Sequence, residues 1–142
     1  TLDGANIEIR EAVGEDNFFL FGLTADQVIS TREEYQPGQI VSGDEDLARV
    51  LQLLESEHFS LLESGLFDTL LASLLSPSDP WMTVADFRSY VEAQKCVDAL
   101  WAEPAAWTQR AIHNVAASGR FSSDRTIAEY RDDIWFPGGI QP

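Results

Sequence analysis

Asn17-Phe18-Phe19-Leu20-Phe21-Gly22 decides how this chain is read, because four consecutive apolar residues stand there between turn formers. A short run with no polar residue alternating through it suits a strand covered on both faces, the usual condition of parallel sheets. Upstream, residues 6–13 have helical character, with Asn6 placed to cap the start and Gly14 to stop the end. Thr1-Leu2-Asp3-Gly4 reads as the tail of an earlier strand followed by a turn. Strand end, turn, helix and strand make a βαβ unit whose first strand is cut short. Two strands do not make a stable parallel sheet and no third follows, so the segment is expected to be the edge of a larger sheet lying outside this sequence. A buried helix end or loop at residues 18–21 is the alternative.

Everything downstream reads as helix. Thr24 and Gln27 are spaced as a capping box for a short connector helix over residues 24–31. Tyr35-Gln36-Pro37-Gly38-Gln39 carries a strong turn signal and is the best boundary between the βαβ remnant and a helical region. Ser42 and Glu45 form a second capping box, after which Leu47, Val50, Leu51 and Leu54 share one face. The acidic run Asp44-Glu45-Asp46 falls in that helix's first turn, where the macrodipole favours negative charge; a calcium loop would need a Gly and a later Glu at spacings not found here. Leu66, Phe67, Leu70, Leu71, Leu74 and Leu75 form another stripe, closed by Ser76-Pro77-Ser78-Asp79-Pro80. The longest helix is predicted over residues 84–101, with Gln94 and Asp98 intruding on its apolar face. Pro104 suits the first turn of the next helix, whose buried side would carry Trp107, Ala111, Ile112, Val115 and Ala116. Ser123 is placed to cap a last helix in which Ile127, Tyr130 and Ile134 share a face, and Trp135-Phe136-Pro137-Gly138-Gly139 ends it with aromatics exposed unless they dock.

Composition narrows the chemistry. The 142 residues hold 24 Asp and Glu against 9 Lys and Arg, a formal charge of −15, which argues against nucleic acid or an anionic membrane as partner. With 44 % apolar and 11 % aromatic residues the chain is not a disordered acidic tail, and no apolar run approaches the roughly 20 residues that span a bilayer. A single cysteine, Cys96, excludes an internal disulfide framework and fits a reducing compartment, so a cytoplasmic location is expected. The chain begins at Thr1 with no signal or transit sequence, which reads as a fragment. His58 and His113 lack spaced partners and there is no C-x-x-C or H-x-x-H, so a zinc site is not expected; nor is there a nucleophile elbow or a phosphate-cradling Gly-Lys loop. With 24 carboxylates, chance pairs abound and none is nominated for acid–base work. Lys95, the single lysine, lies three residues from both Glu92 and Asp98, a spacing for surface ion pairs rather than a Schiff-base pocket. Ser118-Gly119-Arg120-Phe121-Ser122-Ser123-Asp124-Arg125 could bind a phosphate or sulfate; the expected role is a helix–helix corner, with Ser123 as cap and Arg125 held by a carboxylate or helix-end carbonyls.

Thr1-Leu2-Asp3-Gly4-Ala5-Asn6-Ile7-Glu8 and Gly14-Glu15-Asp16-Asn17-Phe18-Phe19-Leu20-Phe21-Gly22 closely resemble the C-terminal part of the α-glucan (glycogen, starch, maltodextrin) phosphorylases. Val84-Ala85-Asp86-Phe87 with Tyr90-Val91, Trp107-Thr108, and the run from Ala117 through Ser123-Asp124-Arg125-Thr126-Ile127 to Tyr130, with Ile134-Trp135, resemble that family's closing helices. The resemblance implies an α/β fold class. The chain would be the C-terminal piece of a glycosyltransferase B (Rossmann-like) domain, mostly α-helical with a truncated βαβ unit. Residues 1–36 would then end the Rossmann-like domain, and residues 37–142 would form the helical region that closes it.

The same resemblance implies a parent enzyme, expected to be a homodimer, that uses pyridoxal phosphate and inorganic phosphate to cleave terminal α-1,4-glucosidic bonds, releasing glucose 1-phosphate. Its cofactor lysine belongs to a Gly-Asn-Met-Lys-Phe block that would lie shortly before Thr1. No catalytic, cofactor-binding, substrate-binding or metal residue is therefore carried over to this segment. Asp3, Gly4 and Asn6 come closest, at the carboxyl end of a strand where ligands sit in open α/β sheets, and a supporting role is expected of them. The partner implied is the remainder of the phosphorylase chain. A free-standing acidic helical interaction module without enzymatic activity is the alternative.

Overall fold

A computed structural model describes residues 4–56, 58–61 and 63–138. Eight α-helices occupy the described residues: α1 (Ala5–Val13), α2 (Ala25–Thr31), α3 (Pro37–Ser42), α4 (Glu45–Glu55), α5 (Asp68–Leu74), α6 (Phe87–Trp101), α7 (Pro104–Ala117) and α8 (Ser123–Glu129). Single turns of 3-10 helix at Glu15–Asn17, Arg32–Glu34, Thr83–Asp86 and Ser118–Phe121, and a π-helical turn at Tyr130–Trp135, link or extend them. The described residues form two compact units, one of residues 20–96 and one of residues 4–19 with 97–138.

In the first unit, Tyr35, Leu47, Leu51, Met82 and Val84 form the buried core, with Leu23, Val28, Ile40, Leu71 and Phe87 packed around it. Helix α4 forms because Asp44 caps it, accepting the Leu47 N–H at 3.1 Å, and because Leu47 and Leu51 stack one turn apart on its inner face. Met82 has no exposed surface and sits in the left-handed region at φ 51°, a conformation that strains a residue bearing a Cβ. Its surroundings hold it there. The Asp79 carboxylate accepts the N–H groups of Trp81 (2.9 Å) and Thr83 (2.8 Å), while the Arg32 guanidinium donates to the carbonyls of Asp79 (2.6 Å) and Pro80 (2.5 Å).

In the second unit, α1 packs on α7 and Val13 is buried. The Asn114 amide on α7 donates to the Asn17 carbonyl at 3.1 Å, and the Asn17 amide closes α1 by donating to the Val13 carbonyl at 2.8 Å. Arg110 lies over the Phe19 ring at 5.9 Å, and Trp101 meets Trp107 edge-to-face at 4.9 Å.

The structure corrects several expectations. The predicted strand at residues 18–21 is not a strand among the described residues: Phe18 has extended backbone (φ −135°, ψ 125°), but no ladder forms. A strand exists through its neighbour's N–H and C=O groups, and this chain supplies no described neighbour. The first-strand tail at Thr1, Leu2 and Asp3 lies outside the described residues. Helix α1 starts at Ala5 with Gly4, not Asn6, at its N-cap position. Pro37 opens α3 instead of a loop, since its missing N–H is no loss in a first turn. Ser42 ends α3, donating to the Gly38 carbonyl at 2.8 Å, which leaves Asp44 to cap α4. The start of the predicted 84–101 helix is 3-10, so α6 proper begins at Phe87. Ser122, not Ser123, caps α8, accepting the Arg125 N–H at 3.3 Å. On α7 the predicted inner position Trp107 is half-buried, but Ala111, Ile112, Val115 and Ala116 are exposed, Ile112 and Val115 by 62 % and 73 %; Arg110 and Asn114 are half-buried instead, because the polar links to Asn17 and Phe19 orient the helix.

Candidate functional site

Two blocks far apart in sequence meet at the start of α6. The Asp86 carboxylate accepts the Leu23 N–H at 2.9 Å; Ser89 Oγ accepts the Gly22 N–H at 2.9 Å and donates to the Asp86 carbonyl at 2.8 Å. Phe21 then packs edge-to-face on Tyr90, ring centroids 5.2 Å apart. Gly22 has φ +88°, and a Cβ there would lie 2.7 Å from Asp86 Oδ2, so the position takes no side chain. Beside this dock opens an apolar cleft of about 370 Å³, walled by Leu47, Val50 and Leu54 of α4, Phe87 and Tyr90 of α6, and Trp81.

The predicted polar candidates are dispersed. Lys95 Nζ pairs with Glu92 Oε1 at 2.7 Å with both side chains exposed, as the spacing predicts. His58 lies edge-on against Phe59 at 4.7 Å, His113 is exposed on α7, and Cys96 is an exposed thiol. No group of three His, Cys, Asp or Glu side chains among the described residues could hold a metal ion. Gly4 and Asn6 fall at the start of α1, and Asp3 lies outside the described residues. In the Ser118-to-Arg125 corner, Arg125 donates to the Arg120 carbonyl at 2.5 Å and pairs with Glu129 at 2.6 Å, which is the structural role expected of it.

Two of the three carboxylates in the acidic run, Asp44 and Asp46, are engaged by Arg88. Arg88 donates bidentately to Asp44 (2.9 and 2.5 Å) and reaches Asp46 at 3.0 Å. The Arg88 guanidinium and then the Leu47 N–H hold the Asp44 carboxyl below its ordinary range, while Asp44 and Asp46 raise the pKa of Arg88. Asp79 is 4 % exposed; burial pushes its pKa up, but the Thr83 and Trp81 N–H bonds outweigh burial and leave it lowered. Tyr35 is 4 % exposed with a hydroxyl that finds no hydrogen bond of acceptable geometry; burial and then the Asp79 carboxylate push its pKa up, with a smaller opposing pull from the Val84 backbone. Sequence reasoning assigned no role to Arg32, Asp79, Asp86 or Ser89. The Ser-Pro-Ser-Asp-Pro run is a turn signal that could have marked Asp79, since Asp there bonds the backbone two residues on. Nothing local marks Arg32 or the Asp86 side chain, whose partners are remote, nor the Ser89 bond to the remote Gly22 N–H.

The carbohydrate phosphorylase family model matches residues 1–136. The chain belongs to the carbohydrate phosphorylase family. Among curated relatives, it is 49 % identical over 136 residues to a glycogen phosphorylase of Synechocystis, which covers 95 % of this chain and 16 % of that protein. It is 44 % identical over 140 residues to alpha-glucan phosphorylase 1 of Arabidopsis thaliana, covering 95 % of this chain and 14 % of that protein. The muscle form of human glycogen phosphorylase is 38 % identical over 143 residues, covering all of this chain and again 16 % of the relative. This phosphorylase segment thus spans about a sixth of the length of the relatives it matches. The Gly22–Asp86 dock joins two of the blocks that carry the resemblance.

Proposed function

We propose that this chain is the C-terminal helical part of an α-glucan phosphorylase of glycosyltransferase B architecture. The whole enzyme would use pyridoxal phosphate to cleave terminal α-1,4-glucosidic bonds with inorganic phosphate, giving glucose 1-phosphate. Residues 1–36 would end its Rossmann-like domain and residues 37–142 would close it. The observation that carries the reading is the family match over residues 1–136, with relatives named glycogen and alpha-glucan phosphorylases.

Within that enzyme the segment's work is support. Lys95 does not fit the cofactor: it is exposed and ion-paired to Glu92. The Ser118-to-Arg125 corner spends Arg125 on a carbonyl and a carboxylate of its own unit, leaving it ill suited to hold a substrate phosphate.

Three measurements test this. The intact mass of the polypeptide that carries this sequence in its source cell should exceed this chain's several-fold, and that polypeptide should release glucose 1-phosphate from an α-glucan and phosphate. Borohydride reduction and peptide mapping should place the pyridoxyl group outside these residues. A stoichiometric adduct on Lys95 would overturn the supporting role.

A further inference from the structure

The second unit has a cleft of its own, of about 400 Å³, where α7 faces Asn17 and Phe19. That volume falls in the range of small-molecule sites, roughly 300–1,000 Å³. Its lining is mixed. Trp107 and Phe19 supply aromatic surface, and the Arg110 guanidinium lies over the Phe19 ring at 5.9 Å with no carboxylate partner among the described residues. The Asn17 carboxamide donates through Nδ2 to the Val13 carbonyl, and that of Asn114 to the Asn17 and Arg110 carbonyls. Both Oδ1 atoms are left without a donor among the described residues. Trp101, edge-to-face with Trp107 at 4.9 Å, extends the aromatic surface outward and is 66 % exposed, a large apolar group held against water.

We propose that this cleft and the Trp101 ring beside it form an auxiliary binding site for a glucan chain, separate from the chemistry of bond cleavage. The inference rests on the reading that this segment belongs to an α-glucan phosphorylase. The groups at the site choose the ligand. A carboxylate or phosphate would suit Arg110 but would bring its own oxygens against the two Asn oxygens. A wholly apolar ligand would strand the guanidinium and both amide oxygens away from water. A sugar ring answers all of them. Its hydroxyls accept from Arg110 and donate to the Asn17 and Asn114 Oδ1 atoms, while its weakly positive C–H face lies on the negative face of an aromatic ring. An α-glucan repeats that ring, so sugars beyond the cleft reach Trp101. Holding the polymer at a second point raises its effective concentration at the reacting end.

Two measurements on the full-length enzyme test it. Hydroxyl-radical footprinting, with the radical dose matched by free tryptophan, reads Trp101 with and without glycogen. Glycogen should slow Trp101 oxidation several-fold, and inorganic phosphate alone should leave it unchanged. No change with glycogen overturns the proposal. So does protection by phosphate alone, which marks an anion site, and so does low reactivity before any glycogen is added, which shows the remaining polypeptide seated there. Trp101→Ala, at an exposed position, reads the consequence. The KM for glycogen should rise several-fold, while kcat and the KM for maltotetraose stay at the parent values. An equal rise for both glucans, or none for glycogen, overturns the site. Glucose 1-phosphate release, measured on the same sample, separates the two failures. An active enzyme with neither protection nor the KM split sinks only the auxiliary site. A full-length polypeptide that releases no glucose 1-phosphate sinks the phosphorylase reading itself, and its Trp101 footprint with glycogen still decides the site.

Discussion

Asp86 Oδ2 lies 2.7 Å from the point where a Cβ on Gly22 would stand, and the same carboxylate receives the Leu23 N–H through Oδ1. The close approach and the hydrogen bond are one feature: the turn at Gly22 comes near enough to α6 to be held only because it has no side chain. Its φ of +88° adds a second demand for glycine.

Gly22→Ala should therefore destabilise the protein by about 1–3 kcal/mol, the range for a residue forced into a sparsely populated backbone region. Chemical denaturation of the full-length protein measures it. Asp86→Ala in the same background should make Gly22→Ala milder, because the clash is then gone; strict additivity of the two would contradict the contact.

Asp79 supports the Met82 turn through two backbone N–H groups. Asp79→Ala leaves the Trp81 and Thr83 N–H groups unsatisfied, each worth about 1–3 kcal/mol if it stays buried. Arg32→Ala, which frees the Asp79 carbonyl and the exposed Pro80 carbonyl, should cost less, because a carbonyl left without one donor is easier to satisfy than an N–H left without its acceptor. A larger loss from Arg32→Ala would reverse this ranking.

Acid should weaken the α4–α6 link in a defined direction. The folded pKa of Asp44 is depressed by Arg88 and by the Leu47 N–H, so its stabilisation is fully present above the ordinary aspartate value near 3.8 and fades as pH falls through the lower folded value. Asp44→Asn should lower the melting temperature at pH 7, and the gap from the parent protein should narrow as the pH drops below about 4. A gap that widened on acidification would show the sign to be wrong.

At the α8 start, Ser122→Ala should cost about 1 kcal/mol through the lost cap, and Ser123→Ala should be close to neutral. Arg125→Ala should lower thermal stability of the full-length enzyme while leaving turnover at moderate temperature nearly intact. An unchanged melting point with a raised Michaelis constant for phosphate would instead make the corner an anion site.

How much could be read beforehand depends on range. The Thr24–Gln27 capping box, the Gly14 stop and the placement of Pro104 in the first turn of α7 stand as the sequence predicts, because each is decided within one helical turn. The Lys95–Glu92 pair is local in the same way. Even local signals slip where two neighbours can do one job, as Ser122 and Ser123 can, or Ser42 and Asp44. There the winner is fixed by where the helix begins, and that is set by packing.

The sequence by itself determined the family, the helical character of most of the chain and the surface role of its single lysine, since ordered motifs, 3.6-residue periodicity and charge spacing are properties of the linear chain. Tertiary structure alone decided that Leu23 answers to Asp86, Arg32 to the carbonyls of Asp79 and Pro80, and Asn17 to Asn114, across 63, 47 or 48, and 97 residues of chain. It also decided that residues 18–21 form no strand among the described residues. A helix closes its hydrogen bonds on itself, so its sequence suffices to announce it, whereas a strand is completed only by the backbone of a neighbour.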